Sequence, residues 1–414
     1  MTGAEGTEPE QAGPPAAGAD AGTPAGAGEG PPVARERSGP LAGVTVVELA
    51  GLGALPFGSQ KLGDMGADII RVHRPSDVPT EPPPPRYRAY DRGRRSIAVD
   101  LKHPEGVEVV KALCARADAF LESFRPGVCE RLGIGPDDLL AVNERLVYAR
   151  LTGWGQDGPL AASAGHSLNY EAITGAVGSI GPRGGPPVPL LQVLGDFAGG
   201  GLHLAYGVVC ALFEAQRSGR GQVIDVAMVD GVMSLFEIYY GMARRGLHKP
   251  ELGTNFFDGG SPVYNVYETA DGQYVTIAPI EPRFYATLLD LLGLDPAELP
   301  DRDDPANWDA LIEIFRGVFK TRTRAEWEEL LGGTDACFAP VYGFAEAHEH
   351  PAHRARGAFW ETPDGDLELA PAPRFSRTPG RPGPSYAHPG ADTDAILSEL
   401  GLDAAALRAS GAVA

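Results

Sequence analysis

The stretch "VTVVELAGLGALPFGSQKLGDMGADIIRVHRP", residues 44–75, decides the fold. It opens with a short β-branched run, VTVVEL, turns through Gly51 and Gly53, and then carries a helical pattern. It closes on a second strand, ADIIRVHRP, ended by Pro75. Strand, helix and strand in one uninterrupted run is the mark of a parallel unit. The alternation resumes after the Pro-rich loop at 77–85. SIAVDL and DAFLESF read as strands around the helix PEGVEVVKALCARA, which has Pro104 near its start, and RLVYARLTGW adds another strand. Residues 40–254 are therefore expected to form a doubly wound, Rossmann-like α/β domain, completed by 355–414. Beyond GTNFFDGGSP the pattern changes to QYVTIAPI followed by helix-rich sequence through RAEWEELLGG. That region, 255–354, is expected to be a smaller α+β domain.

A chain of 414 residues is too long for one compact core and suits this two-domain division. A net charge of −20 argues against nucleic acid or an anionic membrane as the main partner. An anionic small ligand stays compatible, because a local basic cluster overrides the global sign. Cys114, Cys129, Cys210 and Cys337 show no CxxC or zinc spacing and read as reduced thiols of a cytoplasmic protein. With no apolar run of 18 residues, no membrane span is expected. Residues 1–39 are mostly Gly, Ala, Pro and Glu, which predicts a disordered tail. They lack the cationic start and apolar middle of a signal peptide.

The glycines of the first turn, Gly51, Gly53 and Gly58, do not have dinucleotide-fingerprint spacing, and Pro56 lies among them. The second strand ends in Arg71 and Arg74, where an NAD site wants a carboxylate. Tight packing is the expected reason for these glycines. Arg74, Arg94, Arg95, Lys102, Arg125 and Arg131 lie at or soon after expected strand ends, a place that suits a phosphorylated ligand. His348, His350 and His353 lack accompanying metal-ligand residues and read as a surface loop. Ser163 and Ser167 have no G-x-S-x-G context. His166, Asp196 and Glu281 remain as candidates; Asp196 and Glu281 also suit ordinary helix starts. Spacing alone does not bring the three together.

An ordered set of longer motifs does more. LAGVTVVELAGLG, LGDMGADIIRVHRP, FRPGVCERLGIGP, LVYARLTGWGQDGP, AGHSLNY, LGDFAGGG, GRGQVIDVAMVDG, NFFDGGSPVYNVYETADGQY, IEPRFY and TDACFAPV resemble, in this order, the α-methylacyl-CoA racemases of the family III CoA-transferase superfamily. The resemblance runs from about Leu41 to about Thr378. It implies an isomerase that inverts the α-carbon of a 2-methylacyl-CoA thioester, with no cofactor beyond the CoA of its substrate and no metal. It places catalysis on His166, Asp196 and Glu281. CoA contacts fall on Arg74, Val99, Asp100, Leu101, Lys102, Arg125 and Arg131, and on the loop with Gly165 and Tyr170. An interlocked homodimer is implied, with Glu281 entering the site from the partner chain.

Inversion through an enolate needs an acid/base on each face of the α-carbon. His166, polarised by Glu281, would serve one face and Asp196 the other, with the Gly-rich helix start after Asp196 as candidate donor to the enolate oxygen. The alternative within the superfamily is a CoA-transferase using Asp196 as nucleophile, which needs Asp196 but not the His166–Glu281 pair. A non-catalytic CoA-binding protein would need none of the three. One departure stands out: the family commonly has an aspartate directly after the histidine, and here that residue is Ser167.

Overall fold

The computed structural model describes residues 37–80, 90–362, 365–384, 386 and 388–414. The disorder expected for residues 1–36, and most of the Pro-rich loop, lie outside the described residues. The expected tail is corrected at its end, because Arg37–Gly39 already belong to the fold. Arg37 pairs with Asp68 at 2.5 Å and donates to the Ala67 carbonyl at 2.6 Å. Arg37–Ala414 form one compact unit.

Six parallel strands make the central sheet: β1 (Thr45–Leu49), β2 (Asp68–His73), β3 (Arg94–Ala98), β4 (Ala119–Glu122), β5 (Val147–Thr152) and β6 (Val223–Ala227). Their order is β3-β2-β1-β4-β5-β6, with every pair parallel. The chain winds outward from β1 in one direction and then, from β4, in the other. The order reverses between β1 and β4, where open α/β sheets hold their ligands.

Alternation along the strands sorts the core into two layers. Val46, Ile69, Leu121, Val147 and Ala149 face helix α1 (Ala54–Asp64) and the helix His203–Ser218, meeting Leu55, Leu62, Leu204 and Val208. Val47, Ile70, Phe120 and Tyr148 face helix α2 (Pro104–Cys114), meeting Val109, Val110 and Leu113. Ile396 and Leu397 of the helix Thr393–Leu400 enter that second layer, and Val413 bridges to Val99. Helices on both faces explain why the inner strands are almost continuously apolar. A second, antiparallel sheet joins β7 (Asn265–Glu268), β8 (Tyr274–Ile277) and β9 (Phe338–Pro340) in that order. Its own core packs Tyr267, Val275 and Ile277 against Phe315, Phe319 and Trp327.

One polar exception sits inside the parallel sheet. Glu48 of β1, wholly buried, accepts from Arg71 of β2 at 2.6 Å and from Arg94 at the start of β3 at 2.5 Å. Ser59 of α1 donates to its second oxygen. Burial alone would raise this carboxyl, but the two guanidinium groups and Ser59 prevail and hold it at about 2. This corrects the placing of Arg94 and Arg95 at the ligand end. Both lie at the opening of β3, the opposite edge of a parallel sheet, and both have carboxylate partners. Arg95 pairs with Asp68 and Glu399, each at 2.7 Å.

The expectation that nothing is long and apolar enough to span a membrane needs amendment. The helical stretch Val193–Ser218 passes by length and composition. It carries Asp196 in its first turn and packs one face into the core described above.

Candidate active site

The C-terminal edge of the sheet opens into a cavity of about 470 Å³ lined by Leu49–Leu52 after β1, by Val72–Arg74 at the end of β2, and by Leu101 and Phe124. Of the predicted CoA contacts, Arg74 and Leu101 line it directly. Around this edge Arg74, Lys102, Arg125 and Arg131 are exposed, and among the described residues none of the four makes a salt bridge. The buried arginines behave differently: Arg71, Arg92 and Arg150 are all neutralised by buried or partly buried carboxylates. Four cations without an ion pair thus lie around the ligand edge.

Other predicted contacts are less available. Val99 is wholly buried against the C-terminus, so its side chain is closed to a ligand. Asp100 is half-buried and caps the next turn, accepting from the Lys102 amide at 2.9 Å. His73 also lines the cavity. Burial and the adjacent Arg71 push its pKa down to about 4, so it meets a ligand as a neutral ring.

His166 caps the helix Ser167–Ile173, its exposed ring free of that capping role; its amide donates to Asn169 Oδ1 at 3.0 Å. The next residues anchor the loop. The Tyr170 hydroxyl donates to the Gly165 carbonyl, and its ring meets Trp154 edge-on at 4.7 Å. Gly153 sits under that ring, where a Cβ would lie 2.0 Å from Tyr170 Cζ.

Asp196 does not cap a helix, contrary to the sequence expectation. It lies inside a wide π-type helix, Val193–Leu202, that continues as His203–Ser218. Such wide turns are uncommon and recur at functional sites. The turn is seated by glycines. A Cβ on Gly201 would fall 2.7 Å from the Ala54 carbonyl, and one on Gly199 3.0 Å from the Met228 carbonyl. These glycines serve close packing against α1 and the helix Met228–Leu235, which leaves the proposed oxyanion role for their amides without geometric support. Gly53, at φ 60 before α1, brings its α-carbon beside the Asp196 carboxylate; a Cβ there would sit 2.8 Å from Oδ2.

His166 and Asp196 are electrostatically coupled, the imidazole acting on the Asp196 carboxyl. Burial raises the Asp196 pKa, the charge of Glu171 raises it further, and His166 opposes them. The Tyr170 hydroxyl is raised by burial and by Asp196, and it feels Arg125. Histidine loop, aspartate turn and one cation of the ligand edge thus share one electrostatic neighbourhood.

Glu281 stands apart. It precedes the helix Pro282–Leu292, is exposed, and acts on Cys337 of its own segment. Among the described residues it makes no contact with His166 or Asp196 within the chain. Two features escaped the sequence reading, the Glu48 cluster and the buried Glu171 beside Asp196. The i, i+4 spacing of Ser167 and Glu171 was the available signal for the second. No group of three His, Cys, Asp or Glu side chains suited to a metal occurs among the described residues. His350 caps a helix by accepting from the Ala352 amide at 3.2 Å, and His353 Nδ1 meets the Ala347 carbonyl at 2.6 Å.

Comparison with known proteins agrees with the motif resemblance. The chain is 45% identical over 366 residues to "Alpha-methylacyl-CoA racemase" of Mus musculus, covering 87% of this chain and 93% of the mouse protein. It is 42% identical to the Homo sapiens protein of the same name, covering 87% and 94%. The crystal structure of a CAIB/BAIF family protein from Brucella suis superposes with a TM-score of 0.75 at 28% identity, covering 88% of this chain and all of that one. The sequence profile of CoA-transferase family III matches residues 41–394. With a six-stranded doubly wound sheet, a cation-rimmed ligand edge and these relatives, the chain belongs to CoA-transferase family III.

Proposed function

We infer that this protein is an isomerase that interconverts (2R)- and (2S)-2-methylacyl-CoA thioesters by moving one proton off and onto the α-carbon. What carries the reading is the 45% and 42% identity, over 87% of this chain, to the mouse and human proteins named alpha-methylacyl-CoA racemase; an exposed His166 that opposes the rise of the Asp196 pKa is consistent with it. Two acid/base groups of different chemistry suit removal of a proton from one face and delivery to the other. In one direction neutral His166 takes the α-proton while protonated Asp196 supplies one to the opposite face; in the other direction the roles reverse. Burial and the Glu171 charge both favour the protonated form of Asp196, which suits a carboxyl that must act as an acid near neutral pH. The two groups titrate as a pair, since each must hold its proton while the other is vacant.

In this proposal the CoA phosphates meet Arg74, Lys102, Arg125 and Arg131, and the cavity at the β1/β4 reversal takes part of the CoA moiety. The division at about residues 255 and 354 into a large and a small domain belongs to the same proposal. So does a homodimer in which the partner's Glu281 orients His166; the exposure of Glu281 and its lack of a site contact within the chain support it. The chemistry needs no cofactor beyond the CoA of the substrate. A reducing, cytoplasmic setting fits the four cysteines, all free of disulfides.

If the cations serve the CoA moiety, Arg125→Ala raises KM for the thioester by roughly tenfold with kcat within about threefold, the loss of one charge-assisted contact made equally in ground and transition states. Steady-state kinetics at fixed ionic strength measure it; an unchanged KM would remove Arg125 from the CoA site.

The direct test of the reaction starts from each pure epimer of a 2-methylacyl-CoA and follows the epimer ratio by chiral chromatography. Both starting points are expected to converge on one mixture without any added acid. Retention of the starting epimer, with CoA passing to a labelled free carboxylic acid when one is supplied, would assign the site to CoA transfer through an Asp196 anhydride.

A further inference from the structure

Asp196 is held by a second carboxylate that the reaction scheme leaves without a task. Glu171, on the last turn of the helix Ser167–Ile173, is wholly buried. Its Oε1 accepts from Ser167 Oγ at 2.7 Å and from the Gly195 amide at 2.8 Å. Ser167 Oγ in turn accepts from the Asp196 amide at 3.1 Å. One carboxylate oxygen therefore ties down two successive amides, those of Gly195 and Asp196, the second through a hydroxyl. The glycine is obligatory for this arrangement, since a Cβ at 195 would lie 2.4 Å from Ser167 Oγ and 2.9 Å from Glu171 Oε1. The other oxygen, Oε2, is buried with no hydrogen-bond partner. A buried, half-satisfied carboxylate is costly to keep as mere packing, and an apolar residue of similar size would fill the space without that cost.

We propose that Glu171 is the positioning residue of Asp196, supplying from one helical turn beyond Ser167 a carboxylate that fixes the aspartate-bearing turn. Two physical effects are combined. The hydrogen-bond chain Glu171–Ser167–Asp196 sets the aspartate backbone, and with it the angle at which the carboxyl meets the α-carbon. Burial raises the Asp196 pKa and Glu171 beside it raises it further, which favours the acid form that delivers a proton to the enolate. Glu171 touches no substrate in this scheme; it acts only through Asp196. Ser167 is then the relay between the carboxylate at 171 and the Asp196 amide, which makes 167 the position at which a substitute carboxylate is tested.

The inference rests on the racemase reading, and its test begins with wild-type enzyme that interconverts epimers. Three variants are compared at matched thermal stability: Glu171→Gln, Glu171→Leu, and Glu171→Leu combined with Ser167→Asp. Glu171→Leu is expected to lower kcat by about 10- to 100-fold with KM for the thioester within about threefold, as for loss of an interaction realised in the transition state. The double variant, which returns a carboxylate to the neighbouring position, is expected to recover kcat to within about fivefold of wild type. Glu171→Gln keeps an acceptor for Ser167 and Gly195 but removes the charge. The kcat limb belonging to Asp196 should then move to lower pH, with His166, Tyr170 and Arg125 the other charged or titratable groups facing the site. Glu171→Leu at wild-type kcat, or a slow Glu171→Leu that Ser167→Asp does not rescue, would overturn the proposal while leaving the racemase reading standing. A wild-type enzyme that never interconverts epimers would instead remove that reading.

Discussion

Asp196→Asn is expected to slow epimer interconversion by about 10²- to 10⁴-fold, the usual worth of one positioned acid/base group. The amide keeps the size and the seat of the carboxyl inside the wide helix Val193–Leu202, but it cannot carry the proton. KM for the thioester should stay within about threefold, because the cations proposed to hold CoA lie on other segments. His166→Ala should cost a similar factor on the opposite face, and the double variant much less than the product, since the two groups act as one unit. Steady-state rates from both epimers measure this. Near-normal turnover by either single variant would remove that residue from the chemistry.

The second large effect is on folding. Glu48→Gln is expected to destabilise the protein by ~3–5 kcal/mol, the cost of removing one partner from a buried ionic cluster. Arg71 and Arg94 would remain charged inside the sheet, since guanidinium groups do not give up their protons in proteins. The pH dependence follows from the direction of the shift. The Glu48 pKa falls from 4.5 to about 2 on folding, so its contribution is complete above about 4.5 and is lost as pH falls toward about 2. Urea unfolding of wild type and variant should therefore diverge most near neutrality and converge in acid. Equal stabilities at neutral pH would show that the cluster is dispensable.

How much of this was legible in the sequence depends on the kind of signal. The parallel sheet was legible because VTVVEL, ADIIRVHRP and DAFLESF are buried on both faces and so read as continuous apolar runs. Of the first-turn glycines, Gly58 serves packing, since a Cβ there would lie 2.5 Å from the Gly201 carbonyl, whereas Gly51 lines the cavity and Gly53 abuts the Asp196 carboxylate. Arg94 and Arg95 were misplaced because a one-dimensional pattern marks a strand without fixing where it opens. β3 begins at Arg94, so those side chains fall at the edge opposite the ligand. Asp196 looked like a helix cap because a carboxylate at the start of a long helical pattern is an ordinary N-cap. The packing of Gly199 and Gly201 against neighbouring helices seats a wide turn there instead. His166, Asp196 and Glu281 were legible only through resemblance, because spacing does not show which residues far apart in sequence share a site, and within the chain Glu281 does not join the other two. Glu171 was missed because a glutamate in a short helix normally faces water.

The most direct test of the central claim is incubation of one pure 2-methylacyl-CoA epimer with the enzyme in D₂O, with no acceptor acid, read by mass spectrometry and chiral separation. Proton removal on one face and delivery on the other predicts that the opposite epimer appears carrying one deuterium at the α-carbon, with inversion lost in Asp196→Asn and any remaining exchange confined to the epimer whose α-proton faces His166. Inversion without deuterium uptake, or an α-carbon that neither inverts nor exchanges, would contradict the account.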